Sequence, residues 1–177
     1  MILERLRRSG PVKAAAQRLY AAVVAQARAP ALYVHLGAPD TPDGRFELYT
    51  LHVLLVLERL KGEGAAAAAV SQALFDHYIS GLDHGLRELA VGDLSVGKTM
   101  RKLGEAFYGR ARALEGAVKA LPERAELEGF LARTAFNGAP RADAGPLADY
   151  LIAAHADLAA QSLESLLEGE PAWRTPG

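Results

Sequence analysis

Residues 91–100 read VGDLSVGKTM, and Gly92, Gly97, Lys98 and Thr99 spell the G-x-x-x-x-G-K-[ST] spacing of a phosphate-binding P-loop. Such a loop wraps phosphates in backbone N–H groups, while its lysine meets their charge and its hydroxyl holds magnesium. It needs a buried strand leading in and a helix leading out, so this stretch decides between an α/β and an all-α protein. The lead-in, HGLRELAV at 84–91, spaces its apolar residues at helical intervals behind Leu82. A second apolar strand ending in an acid should follow the loop, yet the comparable run, VLLVLE at 53–58, precedes it. Isoleucine stands only at 2, 79 and 152, which leaves few β-branched runs for a parallel sheet. The stretch therefore reads as a joint between two helices. Gly92 suits a left-handed helix end, and Asp93 or Ser95 can accept from the N–H groups that open the next helix.

Outward from that joint the chain reads as one all-α domain of about six helices, spanning 12–168 between a flexible N-terminus (1–11) and a flexible tail (169–177). Before the joint, residues 65–90 form a helix with Phe75, Ile79, Leu82, Leu86 and Leu89 in one stripe. After it, a helix from about Ser95 to Leu121 turns Met100, Leu103, Phe107, Leu114 and Val118 inward. A shorter helix follows at 123–136, and a last one at 147–168. Toward the N-terminus, Thr41 can cap a helix that has Pro42 at its first position and Asp43 in its first turn. Apolar residues from Leu48 to Leu60 cover nearly every face of it, as in a central helix packed on several sides. A first helix runs from about Val12 to Ala27, and Arg28 to Asp40 is an ordered loop anchored by Leu32, Tyr33 and Leu36.

Composition narrows the function classes. A net charge of −1 over 177 residues argues against binding nucleic acid by bulk electrostatics. With no cysteine there is no disulfide frame, thiolate zinc site or cysteine nucleophile. The longest strongly apolar run, LHVLLVL at 51–57, is far short of the roughly 20 residues of a membrane span. MILERLRRSGP lacks the apolar core of a secretory signal, and reads either as a frayed helix start or as a segment that grazes an anionic membrane surface.

Several constellations carry two readings. Asp76, Asp83 and Arg87 project along one helix line, as a carboxylate pair for acid–base chemistry or as an ion-pair seam of Asp83 with Arg87. His77 and His84 lack the spacing of a zinc or di-iron site. Gly81 and Gly85, each unfavourable in a helix by about 1 kcal/mol, point to close contact with another backbone or to a tolerant surface. His52 reads as a hydrogen-bonded core residue and Phe107 as core, with Tyr108 and Arg110 at the core edge or on a binding surface. Lys98, Arg101 and Lys102 fall where a helix dipole disfavours cations. Either Glu88, Asp93 and Glu105 neutralise them, or they form a docking face for an acidic or phosphate-bearing partner.

Three blocks, RAPALYVHLGAPDTPDGRFELYTLH (28–52), ALFDHYISGLDHGLRELAVGDLSVGK (73–98) and EAFYGR (105–110), carry a resemblance in this order. The chain resembles the ubiquinol cytochrome c chaperone family, assembly factors for the cytochrome bc complex (respiratory complex III). The resemblance implies an all-helical, non-enzymatic protein without cofactors that binds newly made cytochrome b. It implies further contacts with a small helper protein or the translating ribosome, and a cytoplasmic place, peripheral at the inner face of the membrane. The residues it marks as client-binding or supporting are Asp40, Arg45, Glu47, Asp76, Asp83, Arg87, Asp93, Lys98, Tyr108 and Arg110. Members of the family often show Asp-Met-Asp where this chain has Gly81, Leu82 and Asp83, and often Gly at Ala90. The rival readings are a nucleotide-binding protein using Gly92 to Thr99 and a helical interaction module unrelated to respiration.

Overall fold

The nineteen residues of Pro42–Leu60 form the helix on which the others assemble, and their start is fixed locally. Thr41 Oγ1 accepts from the Gly44 N–H at 3.1 Å, Pro42 stands in the first turn, and Asp43 meets the positive helix end. A side chain at Gly44 would collide with the Pro39 carbonyl, its Cβ only 2.0 Å from that oxygen, so the entry turn is specific to glycine. From Leu48 to Val56 every residue but Tyr49 is buried, as the apolar pattern predicts.

In the computed structural model, which describes residues 2–88, 93–138 and 143–176, eight helical segments and no strand occur among those residues. They are α1 (Ile2–Ala27), α2 (Pro30–Val34), α3 (Pro42–Leu60), α4 (Gly64–Glu88), α5 (Asp93–Lys119), α6 (Ala125–Arg133), α7 (Gly145–Ala160) and α8 (Leu163–Glu168). The all-α reading holds. Helix α3 touches α1, α4, α5 and α7, while α1 packs along α4 and buries Ala15, Ala16, Leu19 and Val23.

The structure corrects four details. Helix α1 begins at Ile2 and runs through Pro11, ahead of the expected start at Val12. The loop from Arg28 to Asp40 contains the short helix α2, opened by Pro30 and anchored as expected by buried Leu32 and Leu36. The single helix expected at 147–168 is two, because Gln161 turns extended and Ser162 caps α8 by accepting from the Ser165 N–H at 3.1 Å. Arg59 secures the break, donating to the carbonyls of Leu158 and Gln161 at the end of α7. On α4 the most buried line is Ala67, Val70, Leu74 and Tyr78, not the expected stripe, of which Phe75, Ile79, Leu82 and Leu86 are only half-buried and Leu89 lies outside the described residues.

His52 ties the core together, as its sequence position suggests. Its Nδ1–H donates to the Leu48 carbonyl at 2.7 Å, which leaves Nε2 to accept from the Tyr150 hydroxyl at 2.7 Å. Tyr150 in turn accepts from the Gln26 amide at 2.8 Å. The tail runs extended beside this network. Trp173 sets its ring edge-on to His52, the Arg174 carbonyl accepts from Gln26, and Arg174 pairs with Asp157 at 2.7 Å.

Burial brings the His52 imidazole down to about 4 from its usual 6.5, against the smaller opposing effect of the Leu48 carbonyl. A depressed histidine stabilises the fold fully above the unfolded value and loses that contribution as pH falls. Urea unfolding should therefore lose about 3 kcal/mol between pH 6.5 and 4 on account of this residue. A His52→Gln variant should lack that part of the pH dependence.

Candidate functional site

Where α1, α3, α4 and α5 spread apart, they leave a cavity of about 820 Å³. That is within the roughly 300–1,000 Å³ of sites that engulf a ligand. Its walls are apolar: Tyr20 and Val24 from α1, Phe46 and Tyr49 from α3, Leu82 and Leu86 from α4, Leu103 from α5. The half-covered outer end of the α4 stripe is thus explained, since Leu82 and Leu86 line the cavity.

Gly81 shapes the floor. A Cβ there would stand 2.3 Å from the Tyr20 hydroxyl and 3.4 Å from that of Tyr49, so glycine admits two tyrosines that meet edge to face with centroids 6.1 Å apart. The close contact expected of Gly81 is therefore with side chains and not with another backbone. Gly85, one turn on, has nothing within 4 Å of its would-be Cβ and opens on the cavity. Behind the floor the Thr50 hydroxyl bonds the Tyr78 hydroxyl at 2.9 Å, and burial pushes the Tyr78 phenol up to about 12. Burial also holds the Tyr49 phenol far above its ordinary range.

The rim is charged and largely self-paired. Arg110 of α5 grips Glu47 of α3 with both arms, Nε donating to Oε2 at 2.6 Å and Nη2 to Oε1. The guanidinium also lies over the Phe46 ring, 5.5 Å from its centroid. Bonding to Glu47 raises the titration of Arg110 despite the opposing effect of burial. At the mouth Arg45 pairs with Asp40 at 2.5 Å and covers Tyr33, whose hydroxyl donates to the Ala27 carbonyl at 2.6 Å.

Of the residues marked by the sequence, Arg45, Glu47 and Arg110 line the cavity, and Asp40 supports Arg45. Lys98 is exposed beside the lining residue Thr99. Asp83 and Arg87 form the expected seam, 2.8 Å apart, on a line of α4 that does not face the cavity. Asp76 accepts from Gln72 at 2.8 Å, so the two carboxylates do not form a pair. Tyr108, 58% exposed, belongs to a second groove of about 620 Å³ with Leu57, Phe75 and Phe107. The Asp93 side chain, Ala90 and Gly92 lie outside the described residues. Glu88 pairs with His84, and neither it nor Glu105 neutralises Lys98, Arg101 or Lys102. Helix α4 continues to Glu88, so among the described residues no strand leads toward the P-loop spelling. Among the described residues no three His, Asp or Glu side chains gather as a metal site requires. Sequence reasoning did not single out Tyr20, Arg28 or Arg133, which reach the cavity from α1 and the end of α6. The unfavourable Gly81 was the available signal that something stands against α4.

Compared with known protein families, the sequence matches the ubiquinol-cytochrome c chaperone model over residues 34–173. The chain belongs to the ubiquinol-cytochrome c chaperone family. A search of curated proteins finds no match. Among solved structures it is similar to the crystal structure of the Cbp3 homolog from Brucella abortus, at 36% identity and a TM-score of 0.87. The likeness covers 98% of this chain and 97% of that one. Both findings support a chaperone role, and the family match takes in the cavity walls of α3, α4 and α5.

The Glu47–Arg110 pair spans 63 residues of chain at a part-buried rim. Glu47→Ala, which strands the arginine, should cost about 3 kcal/mol in urea unfolding, the lower end of the range for a broken buried pair, because Arg110 keeps 19% exposure. Joint replacement by Leu and Met should recover much of that loss.

Proposed function

We propose that this protein is an assembly chaperone that binds newly synthesised cytochrome b during biogenesis of the cytochrome bc complex. The observation that carries the reading is the cavity itself. A membrane-protein segment not yet packed against its partners exposes apolar side chains, and here apolar walls from four helices stand recessed behind a polar rim. The cavity lies in a chain of the ubiquinol-cytochrome c chaperone family that is similar over nearly its whole length to a Cbp3 homolog.

In this reading Arg45, Glu47 and Arg110 hold the rim, with Asp40 fixing Arg45 and Lys98 at its α5 edge. Tyr108 lines the second groove, and Asp76 accepts from Gln72, which lines it too; together they suit a further contact with the client, a helper protein or the ribosome. Asp83 and Arg87 stiffen α4, whose other side lines the cavity. Among the described residues no helix is long and apolar enough to cross a membrane. The protein then meets its client as a peripheral partner at the cytoplasmic, inner face of the membrane.

Affinity capture of a functional tagged protein from membranes in mild detergent should recover cytochrome b, and failure to do so would sink the reading. Deleting the gene should lower the cytochrome bc complex selectively; an unchanged content would leave a helical interaction module unrelated to respiration. Titration with ATP to millimolar concentration should be flat for the wild type and for Lys98→Ala alike. Tight binding lost in that variant would instead revive nucleotide binding at Gly92 to Thr99.

A further inference from the structure

The cations around the cavity are not all spent on the protein's own acids. Arg110 is taken by Glu47 and Arg45 by Asp40, but Arg28 and Arg133 line the cavity with no ion-pair partner among the described residues. Burial raises the titration of the Tyr33 and Tyr49 phenols while the nearby Arg28 charge pulls it down, which puts that charge on the tyrosine side of the cavity. On α5, Lys98, Arg101 and Lys102 are exposed around the lining residues Thr99 and Leu103, and they too have no ion-pair partner among the described residues. Among the residues that line the cavity, four arginines (Arg28, Arg45, Arg110 and Arg133) face two acids (Asp43 and Glu47), and Asp43 has no salt bridge among the described residues. The chain as a whole carries −1, so this local surplus is a segregation of charge and not a result of composition.

We infer that the cavity selects an apolar client segment bordered by carboxylates, its apolar side chains entering among Phe46, Leu82 and Leu86 while its acids meet Arg28 and Arg133. This rests on the chaperone reading and names the chemistry of the segment that site takes. An apolar segment alone leaves both guanidiniums unanswered. A segment flanked by lysines would bring like charges together at the cavity mouth, which disfavours it. An acidic border supplies bidentate partners of the kind arginine favours.

Three labelled peptides of about three helical turns test this, with the same apolar core and borders of glutamate, glutamine or lysine. The full-length protein should bind the glutamate peptide at least about tenfold more tightly than the lysine peptide. The exposed positions Arg28 and Arg133 tolerate exchange, so R28E/R133E should fold normally and reverse that order. Gly85→Leu fills the open side of α4 without a clash and should weaken every peptide. Equal affinity for the three peptides, or a Gly85→Leu variant that binds them undiminished, overturns the inference. So does R28E/R133E abolishing binding to phosphatidylglycerol vesicles while leaving peptide preference intact, since that assigns the cations to a lipid surface. Recovery of cytochrome b by the wild type and equally by R28E/R133E discards the acidic border and keeps the chaperone, whereas no recovery by the wild type removes the chaperone reading itself.

Discussion

Along its middle turns α3 has little solvent in which to leave polar groups, and three of its polar residues are buried there. Each is answered by a different neighbour. Glu47 is gripped by Arg110 of α5, Thr50 bonds Tyr78 of α4, and His52 reaches Tyr150 of α7, which passes the network to Gln26 of α1. An unmet buried partner costs far more than a satisfied one contributes, so these bonds fix the rotation and register of the four helices more than they add stability. Leucines alone would allow several packings of similar energy.

The cavity follows from the same constraint. Tyr78 and Arg110 hold α4 and α5 to α3 at fixed points, and beyond those points the helices spread. Gly81 leaves room for Tyr20 and Tyr49 at the floor, and the outer half of the α4 stripe is left without a helix to cover it. Apolar surface kept in contact with water is a standing cost that a monomer normally avoids. Its presence here, below a rim of arginines, is what departs from an ordinary helical core.

Much of this was legible where the signal is local. The cap of α3, its all-round apolar pattern, the helical lead-in to VGDLSVGKTM, the Asp83–Arg87 seam and the hydrogen-bonded His52 are each decided within a few residues of chain, and each stands. What escaped is non-local. The break before α8 depends on Arg59 of α3 reaching the end of α7, and the Glu47–Arg110 pair joins residues that no spacing rule connects. Arg28 and Arg133 carry no pattern of their own; only the packing of α1 and α6 brings them to one mouth. Gly81 lay between, for its conformational cost announced a close neighbour without saying that the neighbour was a pair of tyrosines.

The recessed position of Leu82 and Leu86 sets what can reach them. A finished globular surface is too broad and too flat to enter among four helices. A single stretch of chain that has not yet found its own neighbours can enter. In the proposed function this geometry would discriminate by maturity: the apolar wall is open to a segment while it is alone and closed to the same segment once folding has covered it.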